Sequence, residues 1–314
     1  MQSSFCEFLH RDTYLCLSDD GDLWTMERHR DEFIVEKMIS PVQVVSISSG
    51  RYFFMAVDSS GVLWAKDFRG KDNRSESNGP RCEDELTPVD GLPPVRSVHC
   101  GWLHALIIDI ESYLWVLGEN SFGQLGIGST ESVLQPVRTE VHKIVSAAAT
   151  DCASFVLDES GSVYSCGKNI MGILGLGKNV EQVKFFTQIP GVKNICQISA
   201  CRSFCILLSS SGKCYGFGDN WNGELGGITK ILMLLGTAST YYKPKKIKGI
   251  PKIAAVSSTR YQTLCISVDG ELWYMGLSKP PGTLEVIKHR APTKALDDVL
   301  SIGHGGSRII AKDR

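Results

Sequence analysis

The chain has 314 residues and a formal net charge of −1, with 21% charged and 43% hydrophobic residues. This is a globular composition, long enough for one large β domain or two ordinary domains. A near-neutral charge argues against a surface that wraps nucleic acid, because phosphate affinity needs clustered Lys and Arg; the densest basic run, "KPKKIK" from Lys243, reads as a solvated strand edge.

Taken in chain order, the predicted elements repeat. The hairpin motif occurs as "DGDLW" (Gly21), "SGVLW" (Gly61), "ESYLW" (Ser112 in the glycine place), "SGSVY" (Gly161), "SGKCY" (Gly212) and "DGELW" (Gly270), in steps of 40, 51, 49, 51 and 58 residues. An alternating apolar run precedes each unit, as in "VVSIS" from Val44 or "VRSVH" from Val95. A short polar turn and a second apolar run follow, such as "FMAVD" or "ALIID". Then come the tight turn, whose twist needs φ > 0, and the "LW" strand. Proline marks a fourth, edge strand at Pro41, Pro88, Pro136, Pro190, Pro244 and Pro292, where a missing N–H is tolerated.

Four short antiparallel strands repeated about every 50 residues describe the blades of an all-β propeller. The expectation is a single domain over 1–314. Its repeats run over 1–43, 44–94, 95–143, 144–194, 195–252 and 253–298, with a partial repeat at 299–314. Seven blades are expected, the last assembled from the C-terminal half repeat and the N-terminus; six blades with a trailing pair is the alternative. Trp24, Trp64, Trp115, Tyr164, Tyr215 and Trp273 share one offset and read as packing groups between blades.

The eleven cysteines sit mostly in apolar strand-like runs. The start "MQSSFCEFLHRD" carries no secretory signal, so reduced thiols in an intracellular protein, cytoplasmic or nuclear, are expected. No C-x-x-C pair exists, so no metal is expected. The longest apolar patch, "ILMLLG" from Ile231, is too short to span a bilayer.

"GENSFGQLGIG" from Gly118 looks like a phosphate loop, but it recurs as "GKNIMGILGLG" from Gly167 and "GDNWNGELGG" from Gly218. A phosphate site is needed once, whereas these glycines return in each blade, and no βαβ unit surrounds them. Gly118, Gly123, Gly126, Gly167, Gly172, Gly175, Gly218, Gly223 and Gly226 therefore read as backbone devices. Asn120, Asn169 and Asn220 read as turn ties. The pattern G-x-N-x-x-G-x-L-G, set between a "YLWVL"-type strand and a proline strand, resembles the repeat of the regulator of chromosome condensation family. The resemblance is strong over about 95–246 and degenerate outside it.

That family's founding member is a guanine-nucleotide exchange factor for the small GTPase Ran, which it contacts through Asp and His residues on such turns and a β-wedge. The resemblance thus implies a non-enzymatic interaction propeller that regulates a small GTPase, with exchange on a Ran-type partner. The alternative is an adaptor propeller in a ubiquitin-ligase, ciliary or trafficking assembly. No catalytic residues and no cofactor are expected. The partner-binding rim is placed on the turns between first and second strands: Arg51, Tyr52, Trp102, Asp151, Arg202, Arg260, Tyr261 and His304. Three arginines with aromatic neighbours match the composition of protein-binding hot spots. Asp151 and His304 match the family's acidic and histidine turn positions, and the family's G-x-x-H survives as Gly101 to His104. Two longer segments, Lys66 to Leu86 and Gly227 to Tyr242, are the candidates for a wedge.

Overall fold

The computed structural model describes residues 5–8, 13–18, 20–29, 32–38, 40–67, 86–227, 240–278, 287–297, 299–302 and 311–313. Six four-stranded antiparallel sheets follow one another along these residues, each in simple up-and-down order. Blade 1 contains β1 (Phe5–Phe8), β2 (Thr13–Leu17), β3 (Leu23–His29) and β4 (Glu32–Lys37). Blade 2 contains β5 (Val44–Ser49), β6 (Phe53–Asp58), β7 (Leu63–Asp67) and β8 (Thr87–Pro88). Blade 3 contains β9 (Val95–Cys100), β10 (His104–Asp109), β11 (Leu114–Gly118) and β12 (Val133–Arg138). Blade 4 contains β13 (Ile144–Ala149), β14 (Ala153–Asp158), β15 (Val163–Lys168) and β16 (Gln182–Gln188). Blade 5 contains β17 (Ile195–Cys201), β18 (Phe204–Ser209), β19 (Cys214–Gly218) and β20 (Tyr241–Lys246). Blade 6 contains β21 (Ile253–Ser258), β22 (Gln262–Ser267), β23 (Leu272–Ser278) and β24 (Ile287–Leu296).

The expectation of seven blades is overturned. The fold is an all-β propeller of six four-stranded blades, followed by a two-stranded sheet of β25 (Val299–Ile302) and β26 (Ala311–Asp313). The N-terminal strand is already committed: Phe5 to Phe8 pair with Cys16 to Thr13 inside blade 1. It is a strand of the blade 1 sheet, and the C-terminal pair forms a separate two-stranded sheet that does not include it. That pair instead packs by Val299 on Leu264, Ile266 and Leu272 of blade 6.

The core lies between blades. Leu106, Ile108, Leu114 and Val116 of blade 3 pack with Ile144, Ala147 and Val156 of blade 4. Phe155 and Leu157 of blade 4 meet Cys205, Leu207 and Phe217 of blade 5. The second strand of a blade is covered on both faces, so every residue of β6, β10, β18 and β22 is buried. This is why these strands read as continuous apolar runs rather than as alternation. The first strands of blades 2 to 6 alternate, and each carries a register shift near its start. The extra residue (Val45, Arg96, Val145, Cys196 or Ala254) is left exposed, as an unpaired bulge residue is.

The shared aromatics pack toward the preceding blade: Trp64 on the blade 1–2 cluster, Trp115 on 2–3, Tyr164 on 3–4, Tyr215 on 4–5 and Trp273 on 5–6. Their polar tips are tied down as well. Trp64 Nε1 donates to Asp58 at 2.8 Å, Trp115 Nε1 to Asp109 at 2.9 Å and the Tyr164 hydroxyl to Asp158 at 3.2 Å. Asp58 also accepts from Ser60 and Val62 across the hairpin turn. Desolvation pushes the Asp58 carboxyl up, but the hydrogen bonds from Ser60, Trp64 and Val62 outweigh it and hold it below its ordinary value. In that turn Ser112 adopts the same positive φ, 69°, as the glycines it replaces.

The proline marker is less regular than its spacing implied. Pro136, Pro244 and Pro292 hold one register position, two residues before the strand partner of the aromatic. Phe186 holds it in blade 4 and Val35 in blade 1. Pro88 pairs directly with Trp64, while Pro41 and Pro190 fall beyond their strands. The position is set by what lands on it from the preceding blade: Gly126 reaches Phe186, and Gly226 reaches Pro292.

Candidate protein-interaction rim

Strands in each blade alternate in direction, so the turns joining first to second and third to fourth strands emerge on one face. In blades 3 to 6 backbone bonds fasten these two turns together. Glu119 N donates to Leu103 O at 2.9 Å, Lys168 N to Cys152 O at 3.0 Å, Asp219 N to Ser203 O at 2.8 Å and Leu277 N to Tyr261 O at 2.9 Å. Closing that bond requires a bare Cα one residue earlier. A Cβ on Gly167 would overlap Cys152 O, and φ there is +108°. Gly118, Gly218 and Gly276 carry positive φ at the same place.

The asparagines tie the outer loop. Asn120 Oδ1 accepts from Leu125 N at 2.9 Å, while its Nδ2 donates to Ser129 O and Glu131 O at 3.1 and 3.0 Å. Asn169 does the same with Leu174 N, Gly177 O and Val180 O, and Asn220 with Leu225 N and Gly226 O. The loop straps onto the next blade: Gly128 N donates to Lys184 O at 2.8 Å and Gly177 N to Tyr242 O at 2.9 Å. Gly123, Gly126, Gly172, Gly175, Gly223 and Gly226 lie in these straps with positive φ.

On this scaffold five of the rim positions converge. Turns of neighbouring blades bond to one another, Arg51 N to Trp102 O at 2.9 Å and Trp102 N to Thr150 O at 3.2 Å. The Arg51 guanidinium lies over the Tyr52 ring at 4.7 Å and the Trp102 ring at 4.5 Å. Arg260 lies over Tyr261 at 5.2 Å, and its Nε is buried without a partner among the described residues. Arg202 Nε is 3.5 Å from Asp151 Oδ2. Burial pushes the Asp151 carboxyl up, and the charges of Arg202, Arg260 and Arg51 draw it partly back, leaving it at about 6. The charges of arginines from blades 2, 5 and 6 are thus all felt at one carboxylate of blade 4, and the first strands of neighbouring blades, which carry these turns, pack on one another toward the axis. His304 lies outside the described residues, as do 68–85 and 228–239 of the two wedge candidates.

The face carries little chemistry of its own. Burial and the adjacent Asp151 push the Cys152 thiol up to about 11, so it stays protonated and unreactive. Among the described residues no group of three His, Cys, Asp or Glu is placed to hold a metal, and no helix is long and apolar enough to cross a membrane. His104 is fully buried, with Nε2 2.9 Å from Ser154 Oγ, which itself donates to Gln124 O at 2.6 Å. Burial lowers its pKa to about 4. Its ring lies where a Cβ on Gly101 would sit, as the Phe53 ring does over Gly50. The G-x-x-H spacing is therefore a packing rule: a bare Cα beneath a ring three residues later.

The sequence reading passed over the tips of the straps. Trp221 is 67% exposed, Met171 53% and Ile170 46%. They occupy the two free positions inside G-x-N-x-x-G, where an apolar residue has no structural duty, and that is the signal that could have found them.

A family model described as the regulator of chromosome condensation (RCC1) repeat matches residues 111–157 and 160–208. The chain is 31% identical over 153 residues to the X-linked retinitis pigmentosa GTPase regulator of Mus musculus, covering 46% of this chain and 15% of that protein. It is 36% identical over 154 residues to the Protein RCC2 homolog of Xenopus laevis, covering 47% and 29% respectively. The chain thus spans under a third of the length of these two relatives. A solved structure of Prp20p from Saccharomyces cerevisiae, described with its binding to Gsp1p and histones, superposes with a TM-score of 0.79 at 20% identity, covering 94% of this chain and 78% of that one.

Proposed function

We propose that this propeller of RCC1 repeats is a non-enzymatic interaction platform that regulates a small GTPase, and that the face carrying Arg51, Tyr52, Trp102, Asp151, Arg202, Arg260 and Tyr261 is its contact surface. The observation that carries the reading is the convergence of three guanidiniums and their aromatic neighbours on one axial mouth, a composition of interaction hot spots. A relative named as a GTPase regulator and a fold neighbour described as binding Gsp1p support this partner class. Regulation by exchange needs no proton shuttle. A propeller that binds the nucleotide-free GTPase more tightly than the loaded form shifts the equilibrium by that difference in affinity.

The test loads a panel of small GTPases with fluorescent GDP and follows its release on adding this protein. Faster release from at least one GTPase, abolished by charge reversal at Arg51, Arg202 and Arg260, supports the reading. Failure to bind any GTPase, with capture of a different partner on the same face, replaces it with the adaptor reading.

A further inference from the structure

The axial group has an internal imbalance. Three guanidiniums face one carboxylate, and only Arg202 pairs with it; among the described residues no carboxylate lies at ion-pair distance from Arg51 or Arg260. Arg51 is held between two rings and Arg260 over one, so both present a fixed planar fork whose rotamer entropy is already spent. The Arg260 Nε is a buried donor that lacks an acceptor among the described residues. Asp151 sits within reach of all three charges but is itself poorly solvated, so its own ionisation is costly there. On the fastened third-to-fourth turns, Lys168 and Glu119 act on Cys152 next to Asp151, and Asp219 is on the turn bonded to Ser203 beside Arg202.

Deepening the reading of this rim as a protein contact, we propose that the axial mouth receives a carboxylate-bearing loop of a protein partner on Arg51, Arg202 and Arg260, and that Asp151 is a positioning residue that holds the place of the incoming carboxylate. A loop fits better than a free anion because the same face carries exposed apolar side chains. Trp221 and Ile170 stand exposed on outer turns bonded to the turns of Arg202 and Asp151, and Tyr261 is 38% exposed beside Arg260. Aromatic and aliphatic neighbours of this kind exclude water around a charged contact and strengthen it. Asp151 competes with the guest. When it is neutral, below about pH 6, the arginines are released to the partner, so binding of an acidic loop tightens as pH falls.

The experiment measures binding of a labelled oligoglutamate peptide to the full chain, with oligolysine as control and inorganic phosphate as competitor. It involves no GTPase, so its failure and the failure of the GDP-release panel are distinguishable. The expected result is binding of oligoglutamate and not oligolysine, weakened about tenfold by Arg51→Gln or Arg260→Gln. Asp151→Asn tightens it about threefold, the size of one competing charge at a half-exposed site, and removes the wild-type gain between about pH 7.5 and pH 5. Arg51→Lys, which keeps the charge and loses the fork, gives an intermediate affinity in a protein whose melting temperature reports intact folding. Oligoglutamate binding that ignores the arginine substitutions, or that weakens in Asp151→Asn, overturns the proposal. So does phosphate binding as tightly as the peptide on the same arginines, which would mark a free-anion site.

Discussion

At the residue scale, His104 shows how a family signature can be structural. Its ring is sealed between Gly101 and Ser154, and it can be neutral there but not charged. The folded state therefore holds fewer protons than the unfolded chain between the ordinary histidine value of 6.5 and the buried value of about 4. A folded pKa below the unfolded one means that His104 contributes its full stability above pH 6.5 and loses it as pH falls toward 4. The shift corresponds to about 3 kcal/mol. Urea midpoints taken across this range should fall with acid in the wild type. In His104→Asn that part of the acid slope should vanish, whatever the cost of the substitution at neutral pH. Asp151 has the opposite sign: its raised value makes its charge a liability to folding above about pH 6, in keeping with the role in binding proposed for it.

At the scale of the element, the turns are the working parts and the strands hold them. In blades 3 to 6 the glycine at or near the end of the third strand is there because the outer turn must touch the inner one, and that contact fixes the height of the rim. Gly167→Ala forces a methyl group onto Cys152 O at a backbone angle that L residues rarely adopt. A loss of about 2–4 kcal/mol is expected, read as a drop in melting temperature. Because Cys152 follows Asp151, the same variant should also weaken partner binding in the fraction that stays folded. The Asp58, Asp109 and Asp158 carboxylates do the same job on the opposite face, where each ties an aromatic tip to a hairpin.

At the scale of the whole molecule, stability runs from blade to blade, since each apolar cluster is shared by two neighbours. The C-terminal pair extends this series by covering the outer flank of blade 6 with Val299, which is 3% exposed. Val299→Asp places an unpaired charge in that cluster and should cost about 3–5 kcal/mol in thermal or urea unfolding. A change below about 0.5 kcal/mol would show that the pair is peripheral to the fold.

Spacing alone gave the repeat, the four-stranded unit and the seat of the shared aromatics, because those depend on local period and on burial that every blade imposes alike. The recurring glycines and asparagines were legible for the same reason: a turn of fixed shape needs the same residue types wherever it occurs. The blade count was not legible, because the chain can say only that a half repeat remains. Whether the N-terminus completes it depends on which edge that strand pairs with, and Phe5 to Phe8 pair inside blade 1. The rim was only half legible. Sequence put Arg51, Trp102, Asp151, Arg202 and Arg260 on equivalent turns. Their gathering around one half-buried carboxylate is a property of the ring, which brings residues some 200 positions apart in sequence within electrostatic reach of one another.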